Sequence, residues 1–223
     1  MIAEPRIRLS PVATPAPRRS RIPVGRSRRW CSPFDDPQRR PGVAVFMTQP
    51  AYSGCCAHAG SDLHNEVGGA LVGKWRADRR TGEQFVVVEA ALPARHTRHG
   101  SVFLTFTQDS LVALHNDLDE CYPGKELVGW YHTHPRMGVF LSGYDLWLHE
   151  HFFPEPWQVA LVIEPYAALG GFFLRQADGR LDPQRYFGFY ELAGNGQESW
   201  VFWNNLKPDE ANGGEPLSLP SGK

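Results

Sequence analysis

The stretch GWYHTHPRMGVFLSGYDLWLHEHFF (residues 129–153) places four histidines, a serine and an aspartate within twenty-five residues. Its first part completes an apolar run, ELVGWYHTH (126–134), that reads as a β-strand stopped by Pro135. Side chains two apart on a strand share a face, so His132 and His134 project together and Thr133 points the other way. Two imidazoles on one rigid strand form half of a zinc site. Residues 135–141 then read as a loop with Gly138 inside it, and 143–152 as a helix. Ser142 and Asp145, three apart at that helix start, share a helical face. A carboxylate there can return to the histidines and complete a His132, His134, Asp145 set. Three protein ligands leave one position open on a tetrahedral zinc, the mark of a catalytic site, where water ionises with a pKa near about 7.

Each half also has a plainer reading. HTH alone suits a half-buried polar strand, and SGYD is a capping-box-like helix start that needs no metal. The combined spacing H-x-H-x7-S-x2-D is far rarer than either half, and the metal reading prevails. Ser142 can cap the helix and still face the site. His149 lies one turn after Asp145 and is either a support for a ligand or an ordinary helix residue, whereas His151 faces elsewhere.

Upstream, VAVFMTQ (43–49) reads as a strand, with Pro50 opening a helix through AYSGCCAHAGS whose core contacts are Cys55, Cys56 and Ala59. NEVGGALVGKW and EQFVVVEAAL (83–92) are strands, PARHTRHGS is a polar loop, and VFLTFTQ is a further strand. DSLVALHNDLDECY (109–122) has Leu111, Leu114, Leu118 and Cys121 at helical spacing, with Asp109 as cap. Downstream, WQVALVIEP and GGFFLRQ are strands, and RYFGFYEL and ESWVFWNNL flank AGNGQ as a hairpin. The sum is a single α/β domain with several strands and about three helices.

Residues 1–42 hold ten arginines, no lysine, three acids and eight prolines, a net +7 against −8 for the rest. So little apolar surface predicts a disordered N-terminal extension, with the catalytic domain at 43–206 and a flexible tail at 207–223. An Arg-rich arm can bind nucleic acid or an acidic partner, but a solvated extension is the plainer reading. No stretch has the apolar length to span a bilayer, and no apolar segment follows the basic head as a secretory signal requires. Four cysteines, two of them adjacent, do not suggest a disulfide framework, and the expected compartment is the cytoplasm.

The motif His132, His134, Ser142, Asp145, with VGWYHTHP and FLSGYD around it, resembles the JAMM motif of the JAB1/MPN/Mov34 metalloproteases. The resemblance extends over roughly residues 43–190. It implies an MPN/cytidine-deaminase-like mixed β-sheet flanked by helices. It also implies one Zn²⁺ held by His132, His134 and Asp145, and an upstream acid within an E-x-x-G-x-L-x-G-like strand. EVGGALVG (66–73) fits, which makes Glu66 the general base; by itself Glu66 reads equally as a surface carboxylate at a strand start. Ser142 would donate to the oxyanion. The implied activity is a zinc-dependent isopeptidase or peptidase cutting after the C-terminal Gly-Gly of a ubiquitin-like protein, the alternatives being a peptidase of sulfur-carrier or cofactor metabolism and a non-catalytic MPN scaffold. Implied partners are that protein, its conjugates and conjugating enzymes of the same operon, in bacteria often in antiphage defence. His96 and His99 sit where family members carry an insertion that touches the substrate. Only HEHFFPEP separates the Asp145 helix from the next strand, so the second insertion common in polyubiquitin-cutting members is missing.

Overall fold

The computed structural model describes residues 16–36, 41–95, 98–100, 103–105, 108–193 and 197–209, with backbone alone for 98–100, 103–105 and 108. In chain order the elements are β1 (Arg18–Ser20), β2 (Ser27–Cys31), β3 (Ala44–Thr48), α1 (Gln49–Ala59), β4 (Gly68–Asp78) and β5 (Gln84–Pro93). Next come β6 (Arg98–Gly100), β7 (Phe103–Thr105), α2 (Gln108–Cys121), β8 (Glu126–Thr133) and α3 (Gly143–Phe152). The chain continues through β9 (Val159–Glu164), β10 (Leu169–Phe173), β11 (Phe189–Leu192) and β12 (Lys207–Pro208).

One mixed sheet runs in the order β10-β9-β8-β4-β5-β3-β11-β2-β12, with β1 added beside β4. β8 is antiparallel to β4 and parallel to β9. Both of its edges are therefore paired, which accounts for its buried run from Val128 to Thr133. The core continues along the sheet through Phe46, Val86, Leu71, Trp130, Leu161 and Phe172, all essentially unexposed. Each such side chain contributes about 1.5–3 kcal/mol of burial. α1 starts at Thr48, whose hydroxyl accepts from the Ala51 N–H, and lays Ala51, Tyr52 and Cys55 against β5 and β3. Gly129 is obligatory where β8 meets β9. A Cβ built on it would lie 2.0 Å from the Val159 carbonyl oxygen.

Mixed α/β architecture, three helices and most strands lie where the sequence puts them, but several readings need correction. Residues 16–36 belong to the fold rather than to a disordered extension. β1 pairs with the end of β4, β2 pairs with β11, and the Asp78 carboxylate accepts from the Ile22 N–H at 2.9 Å. Composition misled because this segment is held by backbone pairing and by Trp30, with little apolar burial. Likewise Lys207 and Pro208, assigned to the tail, pair with β2. Residues 198–206, read as the second arm of a hairpin about AGNGQ, form no strand. β11 fills both edges with β3 and β2, so no edge is left for 198–206, and residues 194–196 lie outside the described residues. α2 buries Leu114 and Leu118, but Cys121 is exposed. Asp109 sits inside the first turn of α2. The polar loop contains β6, paired with β7; of its two histidines His96 is not described, and His99 is described by backbone only.

Candidate metal centre

The C-terminal end of β8 is closed on both sides. His132 is paired with Gly68 of β4 and Val162 of β9, and the His134 N–H donates to the Ile163 carbonyl at 2.9 Å. The result is a pair of imidazoles that are 0% and 2% exposed, with their Nε2 atoms 2.9 Å apart. Asp145 arrives from α3. Ser142 caps that helix: its Oγ accepts from the Asp145 N–H at 3.2 Å, and its own N–H donates to Asp145 Oδ2 at 2.7 Å. This reciprocal capping box fixes the carboxylate rotamer and leaves Oδ1 turned to the histidines. Oδ1 lies 3.3 Å from His132 Nε2, and Oδ2 lies 3.6 Å from His134 Nε2. The capping and metal readings of SGYD are thus one arrangement, with the cap serving to aim the acid.

The donor set suits a divalent transition metal. Burial pushes His132 below its usual value, against the pull of Asp145, which favours the neutral form that a metal ligand needs. Burial opposes ionisation of Asp145, but the charge of His132 and hydrogen bonds from His132, His134 and Ser142 outweigh it. They hold the carboxyl well below the usual carboxylate range. Two imidazoles and one carboxylate, all within 4.8 Å of one another, are a tripod of ligands that could hold a metal ion. Among the described residues, the Nδ1 atoms of both histidines are buried without hydrogen-bond partners. The rings are held by aromatic faces instead. Trp130 stacks on His132 at 4.5 Å and 10°, and Phe140 leans on His134 at 4.7 Å.

Glu66 lies just before β4, and the structure brings it to this site across 66 residues of sequence. Its Oε1 is 3.9 Å from His134 Nε2, and it is 2% exposed. Thr133 delivers it: the Val67 N–H donates to Thr133 Oγ1, and the Thr133 N–H donates to the Val67 carbonyl, both at 2.9 Å. Burial, and then repulsion from Asp145, pushes the Glu66 carboxyl up to about 8. Its carboxylate has no hydrogen bond among the described residues.

His149 is buried, and its hydrogen bond goes to Trp130. Its Nδ1 accepts from Trp130 Nε1 at 3.1 Å, so it steadies the indole that stacks on His132. Burial, with the charge of Arg175, pushes it down to about 3. His151 is exposed and stacks on Trp147. Sequence reading missed Trp130, Phe140 and Thr133. Their sole signal is adjacency to the motif; the alternation that aims His132 and His134 had assigned Thr133 to the opposite face without a role.

The family model for "JAB1/Mov34/MPN/PAD-1 ubiquitin protease" matches residues 43–153, which contain Glu66 and the whole His132–Asp145 motif. The chain is 38% identical over 76 residues to the NAD(+) hydrolase TcpA of Theionarchaea archaeon (strain DG-70-1), a match covering 34% of this chain and 22% of that protein. It is 49% identical over 43 residues to COP9 signalosome complex subunit 5 of Caenorhabditis elegans, covering 18% and 11% respectively. The chain thus matches less than a quarter of the length of either relative. Among solved structures it resembles the solution structure of protein DSY2949 from Desulfitobacterium hafniense, with a TM-score of 0.47 and 23% identity, over 63% of this chain and 91% of that one. No helix among the described residues is long and apolar enough to cross a membrane. With the family model spanning β8 and the His134 that follows it, the helix that carries the aspartate and the upstream acid, the chain belongs to the JAB1/MPN/Mov34 family.

Proposed function

We propose that the chain is a zinc-dependent peptidase or isopeptidase that cuts after the C-terminal Gly-Gly of a ubiquitin-like protein. The observation that supports this most is the meeting of Glu66 with the His132, His134, Asp145 set, an unbonded buried acid 3.9 Å from a ligand nitrogen. A zinc ion held by His132, His134 and Asp145 would supply Lewis acidity and make water nucleophilic near neutral pH. Glu66 takes the proton from the attacking water and gives it to the leaving amine. Buried and without a competing donor among the described residues, its carboxylate is free for both tasks. Ser142 Oγ accepts one hydrogen bond from Asp145, so its own proton is free to be donated to the developing oxyanion. Glycines at the scissile bond fit because they let the substrate backbone approach closely. The resemblance extends the proposal to a bacterial ubiquitin-like conjugation system, including those of antiphage operons, acting in the cytoplasm on conjugates or precursors.

The test is cleavage of a ubiquitin-like protein fused through Gly-Gly to a reporter. The wild type is expected to cut when loaded with zinc and to stop on chelation. Glu66→Ala is expected to lose about 10²–10⁴-fold in rate while retaining its zinc. Loss of zinc by Glu66→Ala would make Glu66 a ligand instead of the base. A wild type that holds zinc and cuts no Gly-Gly fusion would turn the chain into a binding scaffold.

A further inference from the structure

Two residues beyond His134 the backbone adopts a conformation that disfavours every residue bearing a Cβ. Arg136 has φ 63°, in the left-handed region that glycine occupies freely. Three contacts hold it there. The Arg136 N–H donates to Glu164 Oε1 at 2.9 Å, its guanidinium lies 4.2 Å over the Tyr166 ring, and the Met137 N–H returns to the His134 carbonyl at 3.2 Å. The buried Glu164 is the natural counter-ion, yet it is already committed. It also accepts from the backbone N–H groups of Tyr166 and Ala167, at 2.9 and 2.7 Å. Among the described residues no carboxylate lies within ion-pair distance of the Arg136 guanidinium.

The placement is informative. Arg136 follows β8 and Tyr166 follows β9, neighbouring parallel strands whose C-terminal ends adjoin the metal centre. Arg136 is exposed, and its supporting Tyr166 is 41% exposed. A free surface arginine must surrender rotamer freedom to bind anything; this one is already fixed by a stacked ring and a locked backbone. Strained, preoriented side chains collect at functional sites. From this geometry we infer that Arg136 determines specificity, pairing with an acidic side chain on the substrate segment that flanks the scissile bond. The inference rests on the peptidase reading above, since a scaffold would have no scissile bond to flank.

The experiment uses the zinc-loaded full chain and a panel of Gly-Gly fusions carrying Glu, Gln or Lys in turn at each of the positions flanking the cut. At one of these positions the wild type is expected to cut Glu about fivefold faster than Gln in kcat/KM, Lys slowest, as suits a solvent-exposed ion pair. The preference should shrink in 1 M salt, where the screening length falls to about 3 Å. Arg136→Gln is expected to bring the Glu-to-Gln ratio to one, and Arg136→Lys to recover part of it. Arg136→Gly accepts the left-handed backbone without strain and should melt no lower than the wild type, so loss of preference in it cannot come from unfolding. Equal wild-type rates for Glu and Gln at every position, or an unchanged ratio in Arg136→Gln, overturn the role of Arg136 and leave the peptidase reading standing. A wild type that cuts no fusion of any composition overturns both.

Discussion

Glu66 and Glu191 are both buried glutamates, 2% and 0% exposed, and they are treated in opposite ways. Glu191, on β11, is saturated. Its carboxylate accepts from Trp30 Nε1, Gln49 Nε2, Ser199 Oγ and the Trp200 N–H, at 3.1, 2.9, 2.5 and 2.8 Å. Burial opposes its ionisation, but these four donors outweigh that and hold its carboxyl below the usual value. Glu66 meets the same burial with no donor at all and faces the like charge of Asp145, so its carboxyl is pushed up to about 8. A buried acid that is fully hydrogen-bonded ties elements together; a buried acid left without donors is ready to exchange a proton. Glu191 joins β2, α1, β11 and the 197–206 segment, whereas Glu66 joins nothing and adjoins a ligand set.

The contrast is tested most severely by removing each side chain. Glu191→Ala leaves four donors without an acceptor in a dry interior and is expected to cost about 3–5 kcal/mol of stability, read as a fall in the urea midpoint. Glu66 and the His132, His134, Asp145 set are untouched, so any activity should survive at temperatures where the variant is folded. If Glu191→Ala were nearly neutral, the saturated acid would not be the tie that its bonds suggest.

Glu66→Gln should move stability the other way, and only over a defined pH range. The folded state raises the Glu66 pKa from its ordinary 4.5 to about 8, so folding favours the protonated form. Its contribution is intact below about pH 4.5 and is lost as pH climbs through 8. The variant cannot ionise there and escapes the loss. In the metal-free chain, the melting difference between Glu66→Gln and wild type should therefore open between pH 5 and 8 and level off above. A gain of roughly 1–2 kcal/mol at pH 8 is expected once relaxation of the site is allowed for. Zinc, whose charge favours the carboxylate, should narrow the gap. A difference independent of pH would mean that Glu66 is solvated and ordinary. The burial of His132 acts with the opposite sign, favouring the neutral ring and costing stability as pH falls, and it is common to both proteins.

How much of this was legible in the sequence follows the range of the interactions. His132, His134, Ser142 and Asp145 could be read because two local periodicities, strand alternation and the i, i+3 helix spacing, decide where they point. The strands VAVFMTQ and EQFVVVEAAL and the helix through Leu114 and Leu118 were visible for the same reason. Glu66 could be placed only through the family resemblance, since its approach depends on the Thr133 hydroxyl gripping the Val67 N–H across two strands. β1 and β2 were invisible because an Arg- and Pro-rich segment can pair its backbone without any apolar pattern. The failed hairpin shows the limit from the other side. ESWVFWNNL has a strand's composition, but β11 had no edge left for it, and edge availability is a property of the whole sheet.

The smallest expected effect concerns what holds the two histidines rather than the acids. Glu191 is fixed by hydrogen bonds, yet the imidazoles of His132 and His134 lean on Trp130 and Phe140, with both Nδ1 atoms unbonded among the described residues. Trp130 does two things at once: it stacks flat on His132 and donates Nε1–H to His149. Trp130→Phe keeps an aromatic face against His132 but removes the donor, leaving His149 without its partner and the ring free to slide. Outer supports of metal ligands commonly contribute about 10–100-fold in affinity. Since the stack is partly retained here, a loss of about tenfold in zinc affinity is expected, measured by competition with a chelator at pH 7. His149→Leu, which lets the indole keep its place but not its hydrogen bond, should give a similar loss. Agreement between the two variants would assign the effect to orientation of Trp130. Unchanged affinity in both would mean that strand pairing alone, through Gly68 and Val162, is enough to aim His132.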